Sequence, residues 1–130
     1  MNRTGRKTEK HRRKSWRIIS AAGIGWAMIT SGSPLISEVK IDAKHSFEDT
    51  IVPVAEFKRR YGDRIAVLGG VDVNKLCILN EANLRTYVRK ILDECLPGGG
   101  YALGTGNSVA NYIPARNYLA MLDEGAKYGK

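Results

Sequence analysis

The sequence has no apolar run approaching the ~18 residues that a membrane-spanning helix needs. Its longest weakly polar stretch, residues 18–29, is 12 residues long and contains Ser20, Gly23 and Gly25. An integral membrane protein is therefore not expected. Acidic side chains are almost absent from the first 17 positions, which hold eight Lys or Arg against one Glu. The rest of the chain holds 13 basic and 12 acidic residues and is close to neutral. The net charge of +8 thus belongs to a short arm, and a basic nucleic-acid-binding face across the whole domain has no support. Cysteine is scarce as well. Cys77 and Cys95 form no CxxC pair and no ligand cluster with His11 or His45, so no metal site is expected from them. Both are expected as free thiols on helices, which suits a reducing cytoplasm.

The 130 residues suffice for one domain and are too few for two. A hydrophobic fraction of 43% and a charged fraction of 26% exclude a collagenous, low-complexity or wholly disordered chain. The basic arm reads first as a solvated tail. It could also meet nucleic acid or an anionic surface through counterion release, though nucleic acid is not the expected partner. A basic arm ahead of a 12-residue apolar stretch also has the order of a secretory signal, but the arm is long for one and the following TSGSPLIS is a poor cleavage site.

From residue 34 onward, short apolar runs alternate with amphipathic stretches. Residues 34–39 read as the last turns of a helix and residues 40–44 as a strand. Asp49 and Thr50 are expected to cap a helix over residues 51–61, with Ile51, Val54, Ala55, Phe57 and Tyr61 at helical spacing and Gly62 as its C′ stop. Residues 64–68 (RIAVL) read as a strand buried on both faces. Asp72 then caps a short turn, and Asn80 opens a helix whose buried stripe is Leu84, Val88, Ile91, Leu92 and Cys95. Pro97-Gly98-Gly99-Gly100 breaks that helix, residues 101–103 form a third strand, and residues 104–108 (GTGNS) form a loop. Pro114 sits at position N1 of a last helix running to about Tyr128. The order is β-α-β-α-β-α with short connections, which predicts parallel strands.

Four pieces stand in a telling order: the Gly62-Asp63-Arg64 turn, the Gly69-Gly70-Val71-Asp72 strand end, Leu103-Gly104-Thr105-Gly106, and Pro114-x-x-Asn117. Together they resemble the uroporphyrinogen decarboxylase family over roughly residues 40–129. The resemblance implies an α/β fold: the C-terminal three βα units of a TIM (βα)8 barrel, hence an incomplete barrel. A full barrel takes about 250 residues and each unit about 30. The chain then divides into a basic, poorly structured N-terminal arm (1–33), which matches nothing in the family pattern, and a barrel-like part (34–130). A truncated or frame-shifted reading frame would produce that junction. The alternatives are a small flavodoxin-like sheet and a non-catalytic half-barrel that pairs with itself to cover its sheet edges.

The family includes decarboxylases of uroporphyrinogen III and zinc-using, corrinoid-linked methyltransferases. The expected small-molecule partner is accordingly a tetrapyrrole or a corrinoid-linked compound. A homo-oligomer, or an N-terminal half supplied separately, is expected as protein partner. No cofactor is expected, with zinc or a corrinoid entering only on the methyltransferase branch. At the loop where the decarboxylases carry a histidine and the methyltransferases a cysteine, this chain has Thr105, which neither titrates near neutrality nor binds zinc as a thiolate. The chain by itself is therefore expected to be inactive, and no residue is assigned as catalytic. Substrate contacts are expected from the loops at the strand ends. His45 and Ser46 could meet a carboxylate, Gly70 and Asp72 would line a close approach, and Thr105, Gly106 and Asn107 could cradle an anionic group. The plainer readings come first for three of these positions, Asp72 as the cap of the following turn, His45 as a packed strand-end imidazole and Asp49 as a helix cap, while the loop of Thr105, Gly106 and Asn107 reads equally as a plain turn.

Overall fold

The computed structural model describes residues 18–20, as backbone, and residues 40–129. The helical turns expected over residues 34–39 and most of the arm expected over residues 1–33 lie outside the described residues. Four short parallel strands form one sheet in the order β1 (Ile18–Ser20), β2 (Ala43–His45), β3 (Ala66–Leu68) and β4 (Tyr101–Ala102). The helices are α1 (Val54–Tyr61), α2 (Val73–Ile78), α3 (Glu81–Cys95) and α4 (Ala115–Lys127). Over residues 40–129 this is the repeated βα order that the sequence predicts. Strand β1 adds a parallel neighbour to β2, with Ser20 opposite His45, inside the stretch assigned to the arm.

Register decides which side chains face the helices. Lys44, Val67 and Tyr101 are lateral neighbours, and so are His45, Leu68 and Ala102. The Lys44 ammonium lies over the rings of Phe47 and, on α1, Phe57, so the first row faces the helical layer. Lys44 and Val67 are buried there. The second row is only partly covered: His45 and Leu68 are half-buried and Ala102 is exposed. The run 64–68 is therefore not a strand buried on both faces. Val67 is closed off, whereas Ala66 and Leu68 are only half-buried.

Two helix ends differ from the sequence reading. Helix α1 begins three residues late, behind Pro53, because proline keeps the preceding Val52 out of the helical region. Asp49 and Thr50 consequently cap nothing on α1, and its N-cap has no side-chain hydrogen bond. Gly62 closes α1 with φ −68°, not as a left-handed C′ residue. Glycine is needed there because a Cβ would press on the Lys58 carbonyl.

The other caps follow the sequence. Asp72 accepts the Lys75 N–H at 3.0 Å to start α2, and Asn80 accepts the Asn83 N–H at 2.9 Å to start α3. Leu84, Val88, Ile91, Leu92 and Cys95 are all buried, as their spacing predicts. Burial pushes the Cys95 thiol up to about 11, so it is inert near neutral pH. Pro114 stands at the N-cap of α4, one position before its expected N1 place.

Helix α4 buries two polar residues along with Ala120 and Met121. The Asn117 amide donates to the carbonyls of Leu76 (2.8 Å), in the last turn of α2, and Leu79 (3.1 Å), its C-cap, where helix carbonyls run out of intrahelical partners. Glu124 takes Arg89 and Arg85 of α3, while Arg85 also reaches Asp123 at 2.7 Å. Those guanidinium groups, Arg89 first, hold the Glu124 carboxyl below the usual range. Glu124→Ala removes the shared acceptor of two arginines, and chemical denaturation should show a loss of about 1–3 kcal/mol. Arg89→Ala, which removes the more exposed of the two arginines and leaves the Arg85 contact in place, should lose less than about 1 kcal/mol.

Candidate functional site

Three loops follow the carboxyl ends of β2, β3 and β4, and backbone hydrogen bonds join them. The Phe47 N–H donates to the Gly106 carbonyl (2.8 Å), the Gly106 N–H to Val71 (2.6 Å), and the Val71 N–H to Gly104 (3.0 Å). Val71 and Thr105 form a parallel bridge that extends the pairing of β3 and β4 into these loops. Gly106 is buried, and a Cβ there would collide with the Phe47 carbonyl. Its glycine is explained by this close passage of three backbones.

Side chains reinforce the same junction. The two carboxylate oxygens of Asp72 are divided between its own helix and its neighbour: Oδ1 takes the Lys75 N–H and Oδ2 the Asp49 N–H at 3.1 Å. Asp49 Oδ2 in turn accepts the Tyr87 hydroxyl at 2.8 Å and the Lys75 ammonium at 2.6 Å. The Tyr87 oxygen closes the circuit by accepting the Asp72 N–H at 3.2 Å. Burial, aided by Asp49, pushes the Tyr87 phenol well above its ordinary range, so it remains a neutral donor. The Lys75 ammonium also sits over the Tyr87 ring, 4.4 Å from its centre.

Beside this network lies an open cleft of about 570 Å3 whose lining includes Asp49, Asp72, Lys75, Cys77, Asn107 and Tyr112. Its size suits a small molecule. Among the described residues the one cation in its wall is Lys75, which is already paired with Asp49.

Of the residues singled out from the sequence, Asp72 and Asn107 line the cleft. His45 lies at the end of β2 with its ring against Gly69, where a Cβ would stand 3.1 Å from the imidazole. Ser46 has a left-handed backbone, φ 79°, and its carbonyl accepts the Lys44 ammonium. Gly70 is buried with φ 104°, and the space a Cβ would fill belongs to Val54 of α1, 2.5 Å away, not to a ligand. The Thr105 hydroxyl donates to the Asn107 carbonyl at 2.6 Å, and Asn107 Oδ1 takes the Ser108 N–H.

The sequence reading missed Lys75 and Tyr87, and it assigned Asp49 to the wrong helix. Tyr87 had one visible signal, a polar-tipped aromatic flanked by the buried positions Leu84, Val88 and Ile91. As to zinc, Thr105 supplies no thiolate. Among the described residues no group of three His, Cys, Asp or Glu side chains is placed to hold a metal ion. The donor set of the described residues does not fit a zinc centre. No described helix is long and apolar enough to cross a membrane.

No family model matches the chain. Curated proteins do. It is similar to uroporphyrinogen decarboxylases. The one from Thioalkalivibrio sulfidiphilus is 32% identical over 81 residues, which is 62% of this chain and 23% of that protein. Those from Cupriavidus necator and Cupriavidus pinatubonensis are 31% and 29% identical over 85 residues, again 23% of each. The chain thus spans about a quarter of the length of the curated relatives it matches.

Two outcomes follow from this geometry. Asp49→Ala unties Tyr87 and Lys75 together and should lower stability by about 1–3 kcal/mol, whereas Glu48→Ala, exposed beside it, should stay within about 0.5 kcal/mol. Burial lowers Lys44 from its ordinary 10.5 to about 8. Between pH 8 and 10.5 the unfolded chain therefore holds a proton that the native state has released, and stability rises with pH across that window. Denaturation curves of Lys44→Met should lack this rise, so wild type gains about 3 kcal/mol on the variant over the interval. Parallel curves for the two proteins would refute it.

Proposed function

We propose that this chain is the carboxyl-terminal part of a uroporphyrinogen decarboxylase-like (βα)8 barrel and contributes one wall of a site for tetrapyrrole side-chain decarboxylation, without activity on its own. The observation that carries this reading is the similarity to the three decarboxylases. Two features agree with it. The sheet is parallel with helices between its strands, and the cleft opens at the strand carboxyl ends, where barrel enzymes place their chemistry.

In this reading the loops of residues 45–49, 69–72 and 104–108 form a pre-tied rim. Asp72 and Asn107 face the bound molecule, and Asp49, Lys75 and Tyr87 keep the rim in place. Thr105 offers a hydroxyl where the family's decarboxylases have a histidine, so the loop of residues 104–108 supplies shape and hydrogen bonds without a proton-transfer group. Substrate carboxylates would be held by residues from the rest of the barrel, since Lys75 is committed to Asp49. The corrinoid-linked methyltransferase branch is disfavoured because its zinc would need a thiolate at Thr105. We place the protein in the cytoplasm, in keeping with the free thiols Cys77 and Cys95.

The test combines the chain with a uroporphyrinogen decarboxylase truncated before its last quarter, and follows coproporphyrinogen formation by chromatography. The chain alone should give no product, and the pair should associate and recover turnover above either part. Turnover by the chain alone would overturn its dependence on further barrel segments. A stable but inactive complex would overturn the decarboxylase assignment and leave a non-catalytic half-barrel.

A further inference from the structure

Tyr112 stands in the wall of the cleft at the strand ends and is 68% accessible, while every other described aromatic side chain is buried or half-buried. Its hydroxyl makes no hydrogen bond among the described residues. The backbone beneath the ring is nevertheless fixed. The next residue, Ile113, is buried and donates its N–H to the Ala110 carbonyl at 3.1 Å, and Pro114 follows as the N-cap of α4. The Cys77 thiol of α2, also in the wall, lies 3.9 Å from the Tyr112 carbonyl. An aromatic side chain on a fixed backbone, open to a space of small-molecule size, offers a large flat contact with few torsions left to order.

The rest of the wall decides what such a ring would meet. Val73 and Cys77, one turn apart on α2, are half-buried and give the cleft an apolar strip that ends beside the loop of Tyr112. Asn74 and Ser108 are exposed, and their side chains have no hydrogen-bond partner among the described residues. Most of the charge is engaged: Asp49, Asp72 and Lys75 are bound to one another, to Tyr87 or to backbone, which leaves Glu48. An ion therefore meets little free opposite charge. A flat neutral ring meets an aromatic face, an apolar strip and neutral hydrogen-bonding groups. We propose that Tyr112 is the ring platform of this cleft, on which a neutral nitrogen heteroaromatic ring stacks with its N–H edge turned to Asn74 or Ser108. The cleft's volume of about 570 Å3 has room for such a ring and its substituents. The inference deepens the proposed function and rests on it for the identity of the ring, one pyrrole of the tetrapyrrole.

The test titrates the full chain with indole, a neutral ring compound with one N–H, and follows the side-chain amides of Asn74 and Asn107 by two-dimensional NMR. Wild type should bind with a dissociation constant on the order of 1 mM and shift the Asn74 amide. Tyr112→Ala should weaken binding at least about fivefold, and Tyr112→Phe, which keeps the ring, less than about twofold. Choline, a cation, and cyclohexanol, a saturated ring, should each bind at least about fivefold more weakly than indole. Thermal melts by circular dichroism report whether the variants fold, and Tyr112→Leu replaces an alanine variant that does not. Equal binding of indole by wild type and Tyr112→Ala overturns the platform. So does choline or cyclohexanol binding as tightly as indole, or no indole binding up to about 10 mM. Indole binding that depends on Tyr112, in a chain that restores no turnover to the truncated decarboxylase, would sink the proposed reaction and leave the platform standing.

Discussion

The end of β3 is held by one carboxylate. Asp72 starts α2 with one oxygen and with the other catches the backbone of the loop after β2. The strands contribute only two or three paired residues each, too few to hold a sheet in register by themselves. The order of the carboxyl ends therefore depends on loop-to-loop contacts, and Asp72, Asp49, Lys75 and Tyr87 supply the side-chain half of them. The backbone half runs from Phe47 through Gly106 and Val71 to Gly104. A rim tied in this way is rigid before any ligand arrives, which reduces the ordering cost of binding.

The helical layer uses buried polar groups for a related purpose. Asn117 satisfies carbonyls at the end of α2, and Glu124 gathers two arginines from α3. Both stand on the face of α4 that also carries Ala120 and Met121, so α4 is positioned by directional bonds as well as by apolar contact. Hydrophobic packing alone tolerates sliding, whereas a paired amide and a bridged carboxylate each accept one arrangement. Lys44 is the exception in this layer. Its ammonium is buried between aromatic rings with the Ser46 carbonyl as acceptor, and burial lowers its proton affinity.

Much of the fold was legible in the chain itself. The stripe from Leu84 to Cys95, the caps at Asp72 and Asn80 and the glycine break after Leu96 depend on neighbours within a few positions, and these were read correctly. The start of α1 was misread because Pro53 restrains its predecessor more strongly than Asp49 or Thr50 favour a cap. The strand of residues 64–68 was misread because burial of the second face depends on what covers it, which no local pattern records. The site was legible only in outline. Its three loops were located from the strand-end rule, yet five of the seven expected contact residues do not line the cleft. His45 packs on Gly69, Gly70 makes room for Val54, Ser46 turns its carbonyl to Lys44, and Thr105 and Gly106 are spent on neighbouring backbone.

The sequence by itself determined the repeated βα order, the helix stripes, the placing of excess positive charge in the first 17 residues, and the absence of a histidine or cysteine at position 105. Each of these is a property of residue type and short-range spacing. Only the tertiary structure decided that Asp49 serves Lys75 and Tyr87 rather than the helix beside it, since those partners lie 26 and 38 residues away. It also decided that a second apolar stripe of α4, with Leu119 and Leu122, faces outward. Helical periodicity shows that a face is apolar, but which face meets the core depends on where the rest of the chain has already packed.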